Sequence, residues 1–336
     1  MDPLATLLSA RPPQRLSATE LRARIALLED AARAYRAELE SRTTTLDALP
    51  DEIQQLIFGQ LCNALDPRAA VDYSSASKGL WELMQRVGEG AGKSLLQQLK
   101  EENAAAAALG RKVGVQSCKE LREAKYVDFC LGTRLSSTHL ATLGKLIPVL
   151  PALEWLRIGE WTATAGPDGG QLVQGLGVGA LPAVTTFYLV NVCVGDAGAS
   201  ALAAALDRGA LQRVKELSLH NAAIGDAGVV ALAPALRRLP ALERLHLPRN
   251  PFGDEGLAAL VAPPPADAPP QQAEALAQLH VHDTQITDDG CAHLASRLRS
   301  GALPALERLN LYGISASNAA LDAVYKARPG LAGRPW

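Results

Sequence analysis

Four of the chain's six histidines fall into a pattern that suggests chemistry. His220, His246, His280 and His282 stand at or just after the outward positions of short predicted strands. His246 and His280 take the same position on adjacent strands, about 4.8 Å apart, and His280 and His282 share one face. With Asp283 beside them, these nitrogens are a candidate ligand set for a zinc-type ion. No HExxH pattern or cysteine partner accompanies them, so the pattern favours a binding surface that includes histidines, and no metal is predicted.

The segment GEGAGKS at 88–94 resembles a phosphate-binding loop in composition. That loop needs a glycine six residues before its lysine, and the residue six before Lys93 is Val87. The segment is therefore interpreted as a flexible linker, and no cofactor is predicted.

One aspartate recurs in the phrases GDAG, GDAG, GDEG and TDDG, at Asp196, Asp226, Asp254 and Asp288. Each stands at the start of a predicted helix, where a carboxylate accepts hydrogen bonds from unpaired backbone N–H groups and meets the positive end of the helix dipole. We expect each aspartate to cap its own helix rather than to bind calcium or to act in catalysis. No Ser/His/Asp arrangement or paired-carboxylate spacing rises above chance, so no enzymatic activity is predicted.

These residues lie within an internal repeat. Apolar pairs of the LxL type recur at intervals of 28 to 34 residues, and each is followed by a helical leucine pattern. Alternation sends both apolar residues of a strand to one face, and the leucines of the helix pack behind them. The pairs are Val127/Phe129, Leu156/Ile158, Phe187/Leu189, Leu217/Leu219, Leu245/Leu247, Leu279/Val281 and Leu309/Leu311.

The stretch LERLHLPRNPFGDEGLAALV, which begins at Leu242, resembles a leucine-rich repeat of the long, helix-containing kind found in ribonuclease inhibitor. The resemblance extends over 120–336 with about seven repeats, and it implies an α/β solenoid with a parallel β-sheet on the concave face and helices on the convex face. It also implies that Asn250 bonds backbone groups of the neighbouring coil. The proline-rich insertion at 263–272 is predicted to be an exposed loop after a truncated helix.

Alternation also predicts which side chains line the concave face and hold a protein substrate. Tyr, Trp and Arg, which often anchor protein partners, are prominent among them. The predicted substrate-binding residues are Tyr126, Trp155, Arg157, Tyr188, His220, Arg244, His246, Arg249, His280, His282, Arg308, Asn310 and Tyr312.

The first 119 residues carry no repeat. Residues 1–45 are predicted to form an amphipathic helix with heptad spacing over 21–39, which either packs on its own protein or self-associates. Residues 46–86 contain LPDEIQQLIFGQL, a DP turn at 66–67 and an SKGLW ending, and are followed by a helical linker at 87–119. The 46–86 segment is similar to the F-box, a helical motif frequently followed by leucine-rich repeats.

The F-box resemblance implies a Skp-type adaptor as partner and a role as the substrate-recognition subunit of a cullin–RING ubiquitin ligase, without bond chemistry in this chain. Two alternatives remain open, namely a leucine-rich-repeat scaffold with no ligase role and a small-GTPase regulator. The residues implied to dock on the adaptor are Leu49, Pro50, Ile53, Ile57, Phe58 and Leu61.

Composition limits the other function classes. The 336 residues carry a net charge of −2 with a pI of about 6.3, so neither nucleic acid nor a membrane surface is predicted as a partner. Five cysteines without a CxxC pair, no N-glycosylation sequon and no signal-peptide pattern favour a cytoplasmic or nuclear location. The hydrophobic content of 48% with only 4% aromatic residues fits a core made of leucine and alanine.

Overall fold

The computed structural model describes residues 49–63, 66–86, 93–129, 135–159, 166–263 and 275–333. The heptads at 21–39, most of the GEGAGKS segment and nearly all of the proline-rich insertion lie outside the described residues. The chain divides into two compact units: a helical unit of 49–61 and 68–96, and a repeat unit of 62–67 and everything from 97 onward.

The helical unit begins its helices where the sequence predicts. Pro50 opens the first helix, and its carbonyl accepts the first backbone hydrogen bonds of that helix. The Ser77 hydroxyl caps the third helix by accepting from the Leu80 N–H at 3.1 Å. Phe58, Leu80 and Met84 are fully buried in this unit. The helices are α1 (Asp51–Leu61), α2 (Arg68–Ser75) and α3 (Lys78–Gln85).

Two more helices precede the sheet in the chain, α4 (Leu95–Lys112) and α5 (Cys118–Glu123). Among the helices of the described residues, none combines the length and apolar character that crossing a lipid bilayer requires.

The repeat unit is a solenoid whose seven described strands form one parallel sheet in chain order. All fourteen residues of the predicted LxL-type pairs are at most 3% exposed, which confirms the alternation. The strands are β1 (Tyr126–Asp128), β2 (Trp155–Gly159), β3 (Thr186–Val190), β4 (Glu216–His220), β5 (Arg244–His246), β6 (Gln278–His280) and β7 (Arg308–Asn310).

Each strand is followed by a helix that packs its apolar stripe behind the sheet, as in an α/β solenoid. The predicted helical leucines, such as Leu202 and Leu232, are buried. These helices are α6 (Ser137–Leu146), α7 (Gly170–Gln174), α8 (Gly195–Asp207), α9 (Asp226–Arg237), α10 (Asp254–Leu260), α11 (Asp288–Arg299) and α12 (Asn318–Ala327).

Helix α10 is shorter than its neighbours, as predicted, with 7 residues against 12 in α9 and in α11. Arginines from the two neighbouring helices bond carbonyls at its end. Arg237 donates to the Ala259 carbonyl at 2.7 Å, and Arg297 donates to the Val261 carbonyl at 3.1 Å. These bonds replace the turn that α10 lacks.

Asn250 performs the role that the leucine-rich-repeat resemblance implies. Its side chain is 1% exposed and accepts from the backbone N–H groups of Ala222 and Ile224. Its amide nitrogen donates to the Leu219 and Leu247 carbonyls. Asn250 therefore joins two successive coils inside the solenoid.

After each of five successive strands, one residue adopts the left-handed backbone conformation. These residues have φ between 49° and 68° and are Asn191, Asn221, Arg249, Asp283 and Gly313. Asn, Asp and Gly tolerate this conformation, whereas an arginine is strained in it. Arg249 therefore holds a conformation that its residue type disfavours.

The prediction that each repeated aspartate caps its own helix was wrong. Asp226, in the first turn of α9, accepts from the N–H groups of Gly253 and Gly256 at the start of α10, at 2.9 and 2.6 Å. Asp196 likewise accepts from the backbone N–H groups of Gly225 and Gly228 at the start of α9. The side chain cannot easily fold back from within its own first turn, but it reaches the helix of the next coil.

The two later aspartates follow the same rule. Asp254 accepts from the backbone and hydroxyl of Thr287, and Asp288 accepts from the backbone and hydroxyl of Ser317. We call these four aspartates the capping ladder. The last four helices of the described chain, α9 to α12, therefore each receive a carboxylate from the coil before.

The glycine of the repeated phrase makes room for the capping ladder. A Cβ atom at Gly290 would lie 2.1 Å from Asp254 Oδ1, and one at Gly228 would lie 2.5 Å from Asp196 Oδ1. These distances are far below van der Waals contact. In the GDAG at 225–228, Asp226 caps the helix of the next coil, and Gly228 accepts the approach of Asp196 from the previous coil.

Candidate functional site

The concave surface of the sheet carries most of the predicted binding residues in two columns fixed by the strand register. The first column contains Tyr126, Trp155, Thr186, Glu216, Arg244, Gln278 and Arg308. The second column contains Asp128, Arg157, Tyr188, Ser218, His246, His280 and Asn310. His220 ends β4. His282 and Tyr312 lie two residues after their strands end, and Arg249 lies three residues after β5.

Six rings form an unbroken series across the concave surface, which we call the ring row. Tyr126 and Trp155 stack with centroids 4.0 Å apart and planes 13° apart. Successive centroid separations are then 6.1 Å to Tyr188, 6.4 Å to His246, 4.4 Å to His280 and 6.5 Å to His282. Contacts between Tyr and Trp rings, such as those of Trp155 with Tyr126 and Tyr188, each contribute about 0.5–1.5 kcal/mol beyond their buried area. The structure therefore joins three of the predicted aromatic residues and three of the predicted histidines into one group.

Glu216 lies at the centre of this group and was missed by the sequence analysis. Its carboxylate accepts from the Tyr188 hydroxyl and from Arg244 Nη2 at 2.7 Å. His246 Nε2 lies 3.1 Å from Glu216 Oε1. One signal in the sequence marks the residue: Glu216 stands one position before the buried Leu217, so alternation places it beside Ser218 on the concave face.

The surroundings of Glu216 keep it charged. Burial alone would raise the pKa of its carboxyl, but the contacts from His246, Arg244 and Tyr188 outweigh burial and lower the pKa to about 2. Burial, together with the neighbouring carboxylate, raises the pKa of the Tyr188 hydroxyl. The centre of the concave surface is therefore a fixed, ion-paired cluster.

A second ion pair stands beside the aromatic end of the ring row. Arg157 donates to Asp128 through two nitrogens, with Nε 3.1 Å from Oδ1. The Arg157 guanidinium carbon also lies 5.1 Å from the centroid of Trp155. Two-point pairing and the ring contact together hold Arg157 in one orientation.

His246 and His280 face each other through their Nδ1 atoms, 3.1 Å apart. Burial, followed by the proximity of His246, His282 and Arg308, lowers the pKa of His280 to about 4. His280 is therefore neutral at pH 7 and has a lone pair on one ring nitrogen. Among the described residues, His246 Nε2 is buried without a partner in hydrogen-bond geometry.

The remaining predicted residues lie where the strands end. Burial, followed by the charge of Arg249, lowers the pKa of His220, and burial lowers that of His282 against the opposing effect of Asp283. Arg249 Nε lies 3.4 Å from Asp283 Oδ2 in an exposed pair. Tyr312 is 63% exposed at the far end of the sheet from Tyr126, which is 58% exposed.

The predicted adaptor-docking residues of the helical unit divide into two groups. Leu49, Ile53, Ile57 and Leu61 are partly exposed and Pro50 is exposed. Phe58 is fully buried, so its place on a docking surface was wrong and it belongs to the core of the unit.

Two exposed apolar residues of the helical unit are not among the predicted adaptor-docking residues. Leu56 is 58% exposed and lies next to Ile53 and Ile57 on the face of α1, and Trp81 of α3 is 40% exposed. Their spacing could have identified Leu56, since it stands three residues after Ile53.

Comparison with known proteins agrees with the solenoid. A family model of the leucine-rich repeat matches residues 212–233 and 239–261. The chain contains leucine-rich repeats. Neither matched segment lies in the helical unit, and no curated protein sequence matched the chain.

Among solved structures, the chain is similar to internalin C2 from Listeria monocytogenes. The two are 20% identical, with 66% of this chain and 88% of that chain covered and a TM-score of 0.34. Solenoids of leucine-rich repeats present extended concave surfaces to their binding partners.

Proposed function

We propose that this chain is a non-catalytic protein-interaction subunit that binds a protein partner on its concave surface. The main observation in support of this proposal is the ring row. Contacts of Glu216 with its neighbours, such as Arg244, and the Arg157–Asp128 ion pair hold the row in place. Tyr, Trp and Arg are the residue types that most often anchor protein interfaces. Side chains that are already ordered lose little entropy when a partner binds.

Site-specific photo-crosslinking tests this proposal. A photoreactive residue at Thr186 or at Gln278 lies within the first column of the concave surface, and one at Val178, which is 80% exposed outside the strands, is the matched control. We expect the two concave positions to cross-link the same protein and Val178 not to do so. Equal cross-linking from all three positions would count against the concave surface.

The partner of the helical unit is a second part of the proposal. We propose that α1 docks on a Skp-type adaptor, so that the chain selects substrates for a cullin–RING ligase, in the cytoplasm or the nucleus. The F-box resemblance and the exposed apolar face around Leu56 support this role. In that assembly the ligase raises the effective concentration of a substrate lysine, and this chain breaks no bond.

A pull-down with a purified Skp-type adaptor tests the adaptor role. We expect the intact chain to bind and two variants to lose binding: Leu49→Ala with Pro50→Ala, and Leu56→Ala alone. Val230→Ala is the matched control, because Val230 is a 40% exposed apolar residue of the repeat unit. If the intact chain binds no adaptor, the chain is an interaction scaffold without a ligase role.

A further inference from the structure

The two facing imidazoles of His246 and His280, which we call the histidine pair, have the spacing of two ligands of one metal ion. Their Nδ1 atoms are 3.1 Å apart. Zinc–nitrogen bonds are about 2.0–2.1 Å long, so two nitrogens bound at about 90–110° lie roughly 2.9–3.4 Å apart. The strand register places His246 directly opposite His280 and so brings the two side chains together.

A carboxylate stands behind the histidine pair. Glu216 Oε1 lies 3.1 Å from Nε2 of His246, the ring nitrogen on the far side from His280. A metal-bound histidine usually donates its second ring N–H to such a carboxylate, which orients the ring and makes it a better ligand. Tyr188 and Arg244 hold the Glu216 carboxylate in this position.

We propose that the histidine pair binds a divalent transition-metal ion, of the zinc or cobalt kind, through both Nδ1 atoms, with Glu216 as the outer carboxylate. Imidazole nitrogens suit these ions. Without metal, the pair shares one hydrogen, which one Nδ1 donates to the other.

Metal binding moves that hydrogen within its own ring, from Nδ1 to Nε2, by exchange with water. Each ring remains neutral with one N–H, and the ion takes the two Nδ1 lone pairs. In this tautomer the Nε2–H of His246 becomes available to Glu216 Oε1, which lies 3.1 Å away. The buried nitrogen that has no hydrogen-bond partner among the described residues then gains one.

The ion keeps open positions. No group of three His, Cys, Asp or Glu side chains in the described part of the chain is arranged to hold a metal. The protein therefore supplies two ligands, and water fills the others on the concave surface. This open coordination is the kind that a further ligand enters readily.

Nitrogen NMR of the histidine rings tests the proposal on the full chain, stripped of metal and titrated with zinc chloride alone. We expect the Nδ1 signals of His246 and His280 to shift on addition of one equivalent, and the ring of His293, exposed on α11, to stay unchanged. This experiment needs no variant. If zinc shifts no ring nitrogen, or the His293 ring as much as the pair, the proposal is overturned.

Calorimetric titration of zinc chloride into variants gives the second test. We expect His246→Gln and His280→Gln to weaken binding at least tenfold, Glu216→Gln to weaken it about tenfold, and His293→Gln to leave it unchanged. Circular dichroism of each metal-free variant checks that it folds. Affinity that survives His280→Gln would place the zinc elsewhere on the chain and overturn the proposal. Because no protein partner takes part, neither outcome bears on the proposed function.

Discussion

The capping ladder predicts that replacing an aspartate in one coil loosens the helix of the next coil. In Asp226→Ala, the carboxylate that accepts from Gly253 and Gly256 of α10 is lost, while α9, to which Asp226 belongs, keeps its backbone hydrogen bonds. The effect therefore appears about 30 residues along the chain from the change.

The magnitude follows from two contributions. Loss of a capping side chain costs about 0.5–2 kcal/mol, and loss of a negative charge at a helix N-terminus costs about 0.3–1 kcal/mol. Because both acceptor contacts are short and Gly253 and Gly256 are buried, we expect a loss of about 2 kcal/mol. Asp226→Asn keeps an oxygen acceptor without the charge, so we expect about half that loss.

Hydrogen exchange measured residue by residue is the decisive assay. A local loss of about 2 kcal/mol accelerates exchange of the Gly253 and Gly256 amides about thirtyfold. Urea unfolding of the same variant gives the global change. Asp289→Ala is the matched control, because Asp289 also lies in a first helical turn, its side chain is exposed, and its backbone N–H donates within its own coil, to the Thr287 hydroxyl. Faster exchange in the first turn of α9, with Gly253 unchanged, would refute the reasoning.

Three further predictions concern single residues. Gly290→Ala should destabilise the fold by about 2 kcal/mol in urea unfolding, because the added Cβ would lie 2.1 Å from Asp254 Oδ1. The loss is expected although alanine is the better helix former, and adding Asp254→Ala to this variant should recover part of it. Arg249→Asn should raise the free energy of unfolding by about 0.5–1 kcal/mol, because asparagine tolerates a φ of 55°. An unchanged urea midpoint would show that the Arg249 backbone is not strained. The pKa of His280 is lowered to about 4 in the folded chain, against 6.5 in the unfolded chain, so the unfolded chain takes up a proton first as the pH falls. The free energy of unfolding that is present above pH 6.5 is therefore lost as the pH falls toward 4. Urea unfolding should therefore show a loss of about 1 kcal/mol from pH 7 to pH 5, discounted for partial exposure, that is absent in His280→Gln.

The sequence predicts the solenoid well because its signal is periodic. Alternation alone assigned Leu217 and Leu219 to the core and Ser218 to the concave surface, and the same rule held in every described strand. Asn250 was assigned by the leucine-rich-repeat resemblance, and its buried contacts confirm that assignment.

The contacts between coils were harder to predict. Asp226 has the same sequence context whether it caps its own helix or the next one, and only the distance between coils decides. Phe58 fits the F-box pattern, but a pattern does not state which side of α1 faces the core of the helical unit. Glu216 was not predicted because alternation gives only the face on which its side chain lies, whereas its importance comes from three neighbours on two other strands.

The capping ladder also sets the smallest segment that can be duplicated or exchanged within this chain. A coil cut out at its strand boundaries leaves behind the aspartate that caps its own helix and carries away the one that caps its successor. A new coil inserted between two GDxG coils continues the ladder if its phrase brings both the aspartate and the glycine, for example Asp254 followed by Gly256. The repeated GDxG phrase is therefore the connector that makes one coil compatible with the next.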